Sequence, residues 1–219
     1  MSIVNLITIY YERYMKKKLS EFTNKLNLSA KKYGASSSYS IAISSKEVSL
    51  EVRNKKPEKI ESSNIVNIGL RVFIGNQNSI ISGTVTKDFN TDELALKAIS
   101  MAKVAPKDNN IGIANDQQIA KKDNLIDLEL FDKEETYLDP VKLKEISSEI
   151  EEAALENENI FQCESSGISY STSQISLSTS NGFEGGNVKT NYQLYCSSIA
   201  KDQNGMERDY CFESRVFFK

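Results

Sequence analysis

Apolar positions change spacing several times along this chain, and each change marks an element. Ile3, Leu6, Ile7, Tyr10 and Tyr14 fall on one helical face, predicting an amphipathic N-terminal helix. Met15, Leu19, Phe22, Leu26 and Ala30 carry the helical spacing through residues 14–33, and Gly34 stands where a C-terminal cap belongs. The period then drops to two. Tyr39, Ile41 and Ile43 alternate with Ser and Ala, and Val48, Leu50 and Val52 alternate with Ser and Glu, which predicts strands. "RNKKPEK" reads as a polar connection. "NIVNIGLRVFIG" and "SIISGTVT" flank Gly75-Asn76-Gln77-Asn78 as a hairpin.

A second helix is predicted over 91–104. Asn90 is placed to cap it, Glu93 stands at the capping-box position, and Leu94, Ala98, Ile99 and Ala102 form its apolar stripe. Pro106 forbids its continuation. Residues 107–138 are polar, without a period, and read as a connection. "DPVKLKEISSEIEEAALENEN" is the clearest helix, with Asp139 as cap and Pro140 in the first turn. Leu143, Ile146, Ile150, Ala153 and Ala154 are expected to face inward. Glu145, Glu149, Glu151 and Glu152 are expected on an exposed face, near Lys142 and Lys144. From Phe161 onward "IFQCESSGISY", "SQISLSTSNG", "VKTNYQLYCSSIA" and "GMERDYCFESRVFF" predict strands. Asn181-Gly182 and Asn204-Gly205 are expected to supply the positive φ of tight turns.

The implied fold class is α+β, with helices packed on antiparallel sheets in two successive helix-plus-meander subdomains. The expected division is a helical segment at 1–34, a first domain at 35–106, a connection at 107–138 and a second domain at 139–219.

Composition narrows function mainly by exclusion. The 219 residues are 39% hydrophobic and 26% charged, enough to build a core. A net charge of −3 argues against a dedicated nucleic-acid binder, whose surface carries a basic excess. In the opening "MSIVNLITIYYERYMKKK" the basic residues follow the apolar run, the reverse of a signal peptide, and the run is too short to span a bilayer. Attachment to a membrane surface is the lesser alternative. Cys163, Cys196 and Cys211 form no Cys-x-x-Cys pair and fit a reducing cytoplasm as small core residues.

The chain contains no histidine. That removes His-ligated zinc, Ser-His-Asp and Cys-His nucleophile pairs, and the commonest general base. No phosphate loop or EF-hand loop is present, and the serines of "CESSGISYSTSQISLSTS" have no base beside them, so they read as the solvent face of a sheet. The 10 tyrosines and 9 phenylalanines have few basic neighbours near Tyr192, Tyr195, Tyr210 and Phe212, which favours packing or a protein interface over base stacking. No catalytic or metal-ligating residue can be assigned. In "GMERDY", Met206, Arg208 and Tyr210 share one strand face while Glu207 and Asp209 share the other. Arg208 can offer a fork to a carboxylate, and Asp209 can accept from backbone amides. This is either a charged edge strand guarded against aggregation or an interface.

Three stretches together resemble the TldD/TldE family, whose second member is also called PmbA and modulator of DNA gyrase. They are "EVSLEVRNKKPEKIESSNIVNIGLRVFIGNQNSIISGTVT", "DELALKAISMAKVAPKDN" and "STSNGFEGGNVKTNYQLYCSSIAKDQNGMERDYCFESR". The Asn-Gly-Phe turn and the "MERDY" ending are similar to the TldE side. The resemblance implies a cytoplasmic heterodimeric metalloprotease that trims unfolded peptides. In that pairing zinc sits on the TldD-type subunit, in a His-Glu-x-x-x-His helix of a C-terminal domain that has no counterpart in this sequence. It implies a non-catalytic TldE-like chain or N-terminal part, inactive alone, with a TldD-type partner and a peptide substrate. Met206, Arg208, Asp209 and Tyr210 are the positions expected to touch the partner or the peptide. The alternative is a stand-alone peptide- or protein-interaction module, or a gyrase-associated modulator.

Overall fold

The computed structural model describes residues 3–115, 117–120, 126–132 and 138–218, with side chains from residue 17 onward. Three helices, α1 (Ile3–Lys32), α2 (Thr91–Val104) and α3 (Pro140–Leu155), accompany six strands. These are β1 (Ser37–Arg53), β2 (Lys56–Ile74), β3 (Gln77–Thr84), β4 (Ile160–Thr179), β5 (Glu184–Lys201) and β6 (Met206–Arg215). The α+β class is as expected, and the strands form an antiparallel sheet in the order β3-β2-β1-β4-β5-β6. The chain divides into two compact units. One comprises residues 1–44, 65–127 and 174–187, the other 45–64, 128–173 and 188–219, so β1, β2, β4 and β5 each supply a segment to both.

In the first unit, α1 ends at a Schellman motif. Gly34 adopts φ +104°, the Ala35 amide donates to the Ala30 carbonyl at 3.0 Å, and the Gly34 amide donates to Lys31 at 3.2 Å. Leu19, Leu26 and Ala30 are buried, as their spacing predicts, whereas the side chains of Ile3, Leu6, Ile7, Tyr10, Tyr14 and Met15 lie outside the described residues. Along β1 the alternation has an unusual sense. Ser38, Ser40, Ala42 and Ser44 are buried, and Tyr39, Ile41 and Ile43 are half-buried on the other face. Small side chains let α1 lie close, and its polar groups then bond the sheet. Ser38 donates to Asn27 Oδ1 at 2.8 Å, Ser40 donates to the Thr23 carbonyl at 2.7 Å, and Asn27 Nδ2 donates to Ser178 Oγ at 2.9 Å.

Ala42, Ile68, Leu70 and Val72 complete this core with Ala95, Ala98, Ile99 and Ala102 of α2. Asn90 caps α2 by accepting from the Asp92 amide at 2.9 Å. Glu93 does not close a capping box; it pairs with Lys97 at 2.9 Å, one turn on. The β2–β3 hairpin forms where expected, with Ile74 opposite Gln77 and Gly75 at φ +55°.

In the second unit, α3 begins as predicted, with Asp139 accepting from the Lys142 amide at 2.8 Å and Pro140 in the first turn. Of its expected inward row, Leu143 is buried, Ile146 packs against the same core, and Ile150 and Ala154 are half-buried. Leu143, Ser147 and Glu151, at steps of four, are the buried residues, while Ala153 is exposed. They lie with Leu50, Val52, Leu138, Ile168 and Tyr192, where Ser147 Oγ donates to the Leu50 carbonyl at 3.2 Å.

Burial of Glu151 has a specific cause. "RNKKPEK" is not a loop: only Asn54 and Lys55 turn, both left-handed at φ +51° and +58°, and β2 starts at Lys56. The Glu151 carboxylate accepts from the amides of Asn54 and Lys55, each at 2.7 Å. Lys55 also reaches Glu152 at 2.6 Å. Likewise β1 and β4 are each one continuous strand rather than two runs, because their polar middles, 44–47 and 171–173, contain no Gly or Pro.

Candidate partner-contact surface

β6 is built on β5 by a turn that differs from the expected Asn-Gly type. Gly205 does not have a positive φ. Instead the Asp202 carboxylate accepts from the amides of Asn204 at 2.7 Å and Gly205 at 3.0 Å, while the Asp202 amide donates to the Gly205 carbonyl at 3.0 Å. These bonds, that from Asn204 first, hold the Asp202 carboxyl below its ordinary range. The turn sets the register from Lys201 opposite Met206 to Tyr192 opposite Arg215.

β6 is last in the strand order, and all ten of its residues are exposed. Met206, Tyr210 and Phe212 are 61%, 73% and 63% exposed, a large apolar display for one short strand. Alternation puts these three with Arg208 on one face, and Glu207, Asp209, Cys211 and Glu213 on the other.

Arg208 fixes what surrounds the apolar face. Its Nη1 stands 3.2 and 3.3 Å from the two Glu164 carboxylate oxygens, one nitrogen reaching both rather than a fork. Ser197, the register neighbour of Tyr210, donates to Glu164 Oε2 at 2.9 Å, and Arg53 Nε donates to the Glu164 carbonyl at 2.7 Å. The Ser197 bond and the Arg208 charge keep the Glu164 carboxyl below its ordinary range. Asp209 points away from this group; its Oδ1 accepts from the adjacent Tyr210 amide at 2.8 Å.

Next to Ser197, Tyr195 crosses β4 at Gly167. A Cβ on Gly167 would stand 2.5 Å from the Tyr195 hydroxyl and 2.7 Å from the Leu50 carbonyl, so only glycine lets the ring lie there. Burial, with a hydrogen bond to Glu51, pushes the Tyr195 phenol up. Met206, Arg208 and Tyr210 thus share one face as expected and Asp209 stands apart; Ser197 and Tyr195 join from β5 across the hairpin, and Glu164 joins from β4, which no local motif connects to β6.

The serines expected on a solvent face include buried structural ones: Ser166 donates to the Ser147 carbonyl at 2.8 Å, and Ser176 and Ser178 lie beneath α1. The cysteines divide. Cys163 and Cys196 are buried, and Cys211, on the last strand of the order, is exposed. Zinc does not fit the donors present: the chain has no histidine, and among the described residues no group of three or more Cys, Asp or Glu is close enough to hold a metal.

Residues 41–103 match the PmbA/TldA metallopeptidase domain 1, and residues 133–218 match the central domain of the same metallopeptidases. The chain belongs to the PmbA/TldD family. A metalloprotease PmbA homolog of Haemophilus influenzae is 27% identical over 174 residues, covering 78% of this chain and 38% of that relative. Among solved structures, a putative modulator of DNA gyrase from Bacteroides thetaiotaomicron superposes with a TM-score of 0.78 at 22% identity, over 92% of this chain and 45% of the other. TldE from Thermococcus kodakarensis does so with a TM-score of 0.68 at 13% identity, over 88% and 42%. This PmbA/TldD chain therefore spans less than half the length of these relatives. Among the described residues, no helix is long and apolar enough to cross a membrane.

Proposed function

We propose that this chain is the region of a TldE/PmbA-type subunit that carries no hydrolytic centre and supports a zinc-bearing, TldD-type subunit in trimming unfolded peptides in the cytoplasm. The observation that carries the reading is the joint one: metallopeptidase-family domains built from a sequence without a histidine. Peptidase chemistry in such a family then falls to residues elsewhere, and the contribution of this chain is shape and contact. β6 is the proposed contact element. Met206, Tyr210 and Phe212 supply apolar area, and Arg208, with Glu164 already beside it, supplies direction. Asp209, on the opposite face, holds the Tyr210 amide and so shapes the strand rather than the contact.

Co-expression with a TldD-type subunit tests the reading. The two chains should co-purify, and Tyr210→Ala combined with Arg208→Glu should weaken the complex at least tenfold, about 1.4 kcal/mol or more. Failure of the unaltered chain to bind removes the proposal. The exposed β6 edge favours one second reading, a module that captures extended peptides by strand addition. That reading requires peptide binding by this chain alone, insensitive to salt.

A further inference from the structure

Three thiols far apart in sequence are brought onto three neighbouring strands. Cys163 on β4 and Cys196 on β5 are buried with their sulfurs 3.6 Å apart. Cys211 on β6 is exposed and is the direct register partner of Cys196. Opposed residues of an antiparallel pair send their side chains to the same face. Their Cα atoms are about 4.5–5.5 Å apart, inside the roughly 4.4–6.8 Å that a disulfide spans. The result is a row running from interior to surface: Cys163, Cys196, Cys211. It is not a metal site, since among the described residues no three such ligands converge.

We propose that Cys211 and Cys196 form a peroxide-responsive pair, in which a hydroperoxide oxidises the exposed Cys211 and the buried Cys196 resolves it as a disulfide tying β6 to β5. In the first step the Cys211 thiolate attacks a peroxide oxygen. The S–O bond forms, the O–O bond breaks, and the departing oxygen takes a proton and leaves as water from hydrogen peroxide, or as an alcohol from an organic hydroperoxide; sulfur is oxidised and peroxide reduced. In the second step the Cys196 sulfur attacks the Cys211 sulfenic sulfur. The S–S bond forms, the S–O bond breaks, and the hydroxyl leaves as water with the Cys196 proton. Cys163 stays outside the exchange. Burial, and then its contact with Cys196, push its thiol up, and Cys163 stands on β4 with β5 between it and Cys211, out of disulfide reach of the exposed thiol. The inference is independent of the partner reading, because it needs only the β5–β6 register and the exposure of Cys211.

The reduced full chain, treated with hydrogen peroxide and then alkylated, tests it by peptide mapping without reductant. The expected product is a Cys196–Cys211 cross-linked peptide, with a chain mass lower by two hydrogens and full reversal by dithiothreitol. Cys211→Ser, a change at an exposed position, should slow thiol loss about tenfold or more, since exposure governs oxidation. Cys163→Ser should leave rate and product alone; if that buried change unfolds the chain, the map of the unaltered protein decides. Accumulation of Cys211 sulfinic acid with Cys196 still free would overturn the proposal. So would a disulfide joining two chains, or a Cys163–Cys196 bond as first product.

Discussion

The two ends of β1 receive helices in different ways. Toward α1 the strand buries Ser38, Ser40, Ala42 and Ser44, and the helix answers with Thr23 and Asn27. Toward α3 it buries Leu50 and Val52, and the helix answers with Leu143 but also with a carboxylate, Glu151. One contact is polar and short-chained, the other apolar with a single charge at its rim. Burial alone therefore does not mark a hydrophobic face. Small residues admit close approach and must then satisfy their hydroxyls, while large ones need only area, and a buried charge survives only with donors aimed at it.

The largest expected effect comes from breaking that charged rim. Glu151→Ala should strand the Asn54 and Lys55 amides and cost about 3 kcal/mol in chemical denaturation, with Glu151→Gln, which keeps one acceptor, costing about half. A loss no greater than that of an exposed glutamate would mean that the turn holds itself. On the polar side, Asn27→Ala removes a donor to Ser178 and an acceptor from Ser38, so about 2 kcal/mol should be lost. Asn27→Leu should not rescue it, because the serine hydroxyls remain unanswered.

Acid should act on the first unit through Asp92. Lys32 foremost, then Ser29 and Tyr33, bond its carboxylate, and its pKa falls to about 2. The unfolded carboxyl titrates near 3.8, so this contribution is present above that pH and disappears as pH falls toward 2. Asp92→Asn should flatten that part of the acid-unfolding curve, read by circular dichroism. The smallest effect on stability is expected at Arg208, whose side chain is 66% exposed in its pair with Glu164. Arg208→Ala should leave the unfolding midpoint unchanged and lower only partner binding, which separates a contact residue from a structural one.

Elements with their own signals were legible in the sequence. Gly34, Asn90, Asp139 and Pro140 each act within a few residues of themselves, and each does what its type predicts. What failed was decided at a distance. Glu151 looked like surface because its partners are the amides of a turn reached only through the fold, and "RNKKPEK" looked like a loop because nothing local explains a lysine at φ +58°. The Asn-Gly signal at 204–205 was outcompeted by Asp202, which captures both following amides. At the contact surface, alternation grouped Met206, Arg208 and Tyr210 correctly, but Glu164 and Tyr195 belong to register, which no single strand encodes.

In the proposed pairing, this chain lends contact surface to a peptidase whose metal chemistry lies elsewhere. Peptidase activity and bound zinc, measured together on the purified chain with and without a chelator, test that division of labour most directly. The expected result is no stoichiometric zinc and no chelator-sensitive cleavage until a TldD-type subunit is added. Cleavage of an unfolded peptide by the chain alone, abolished by chelator and restored by zinc, would contradict it.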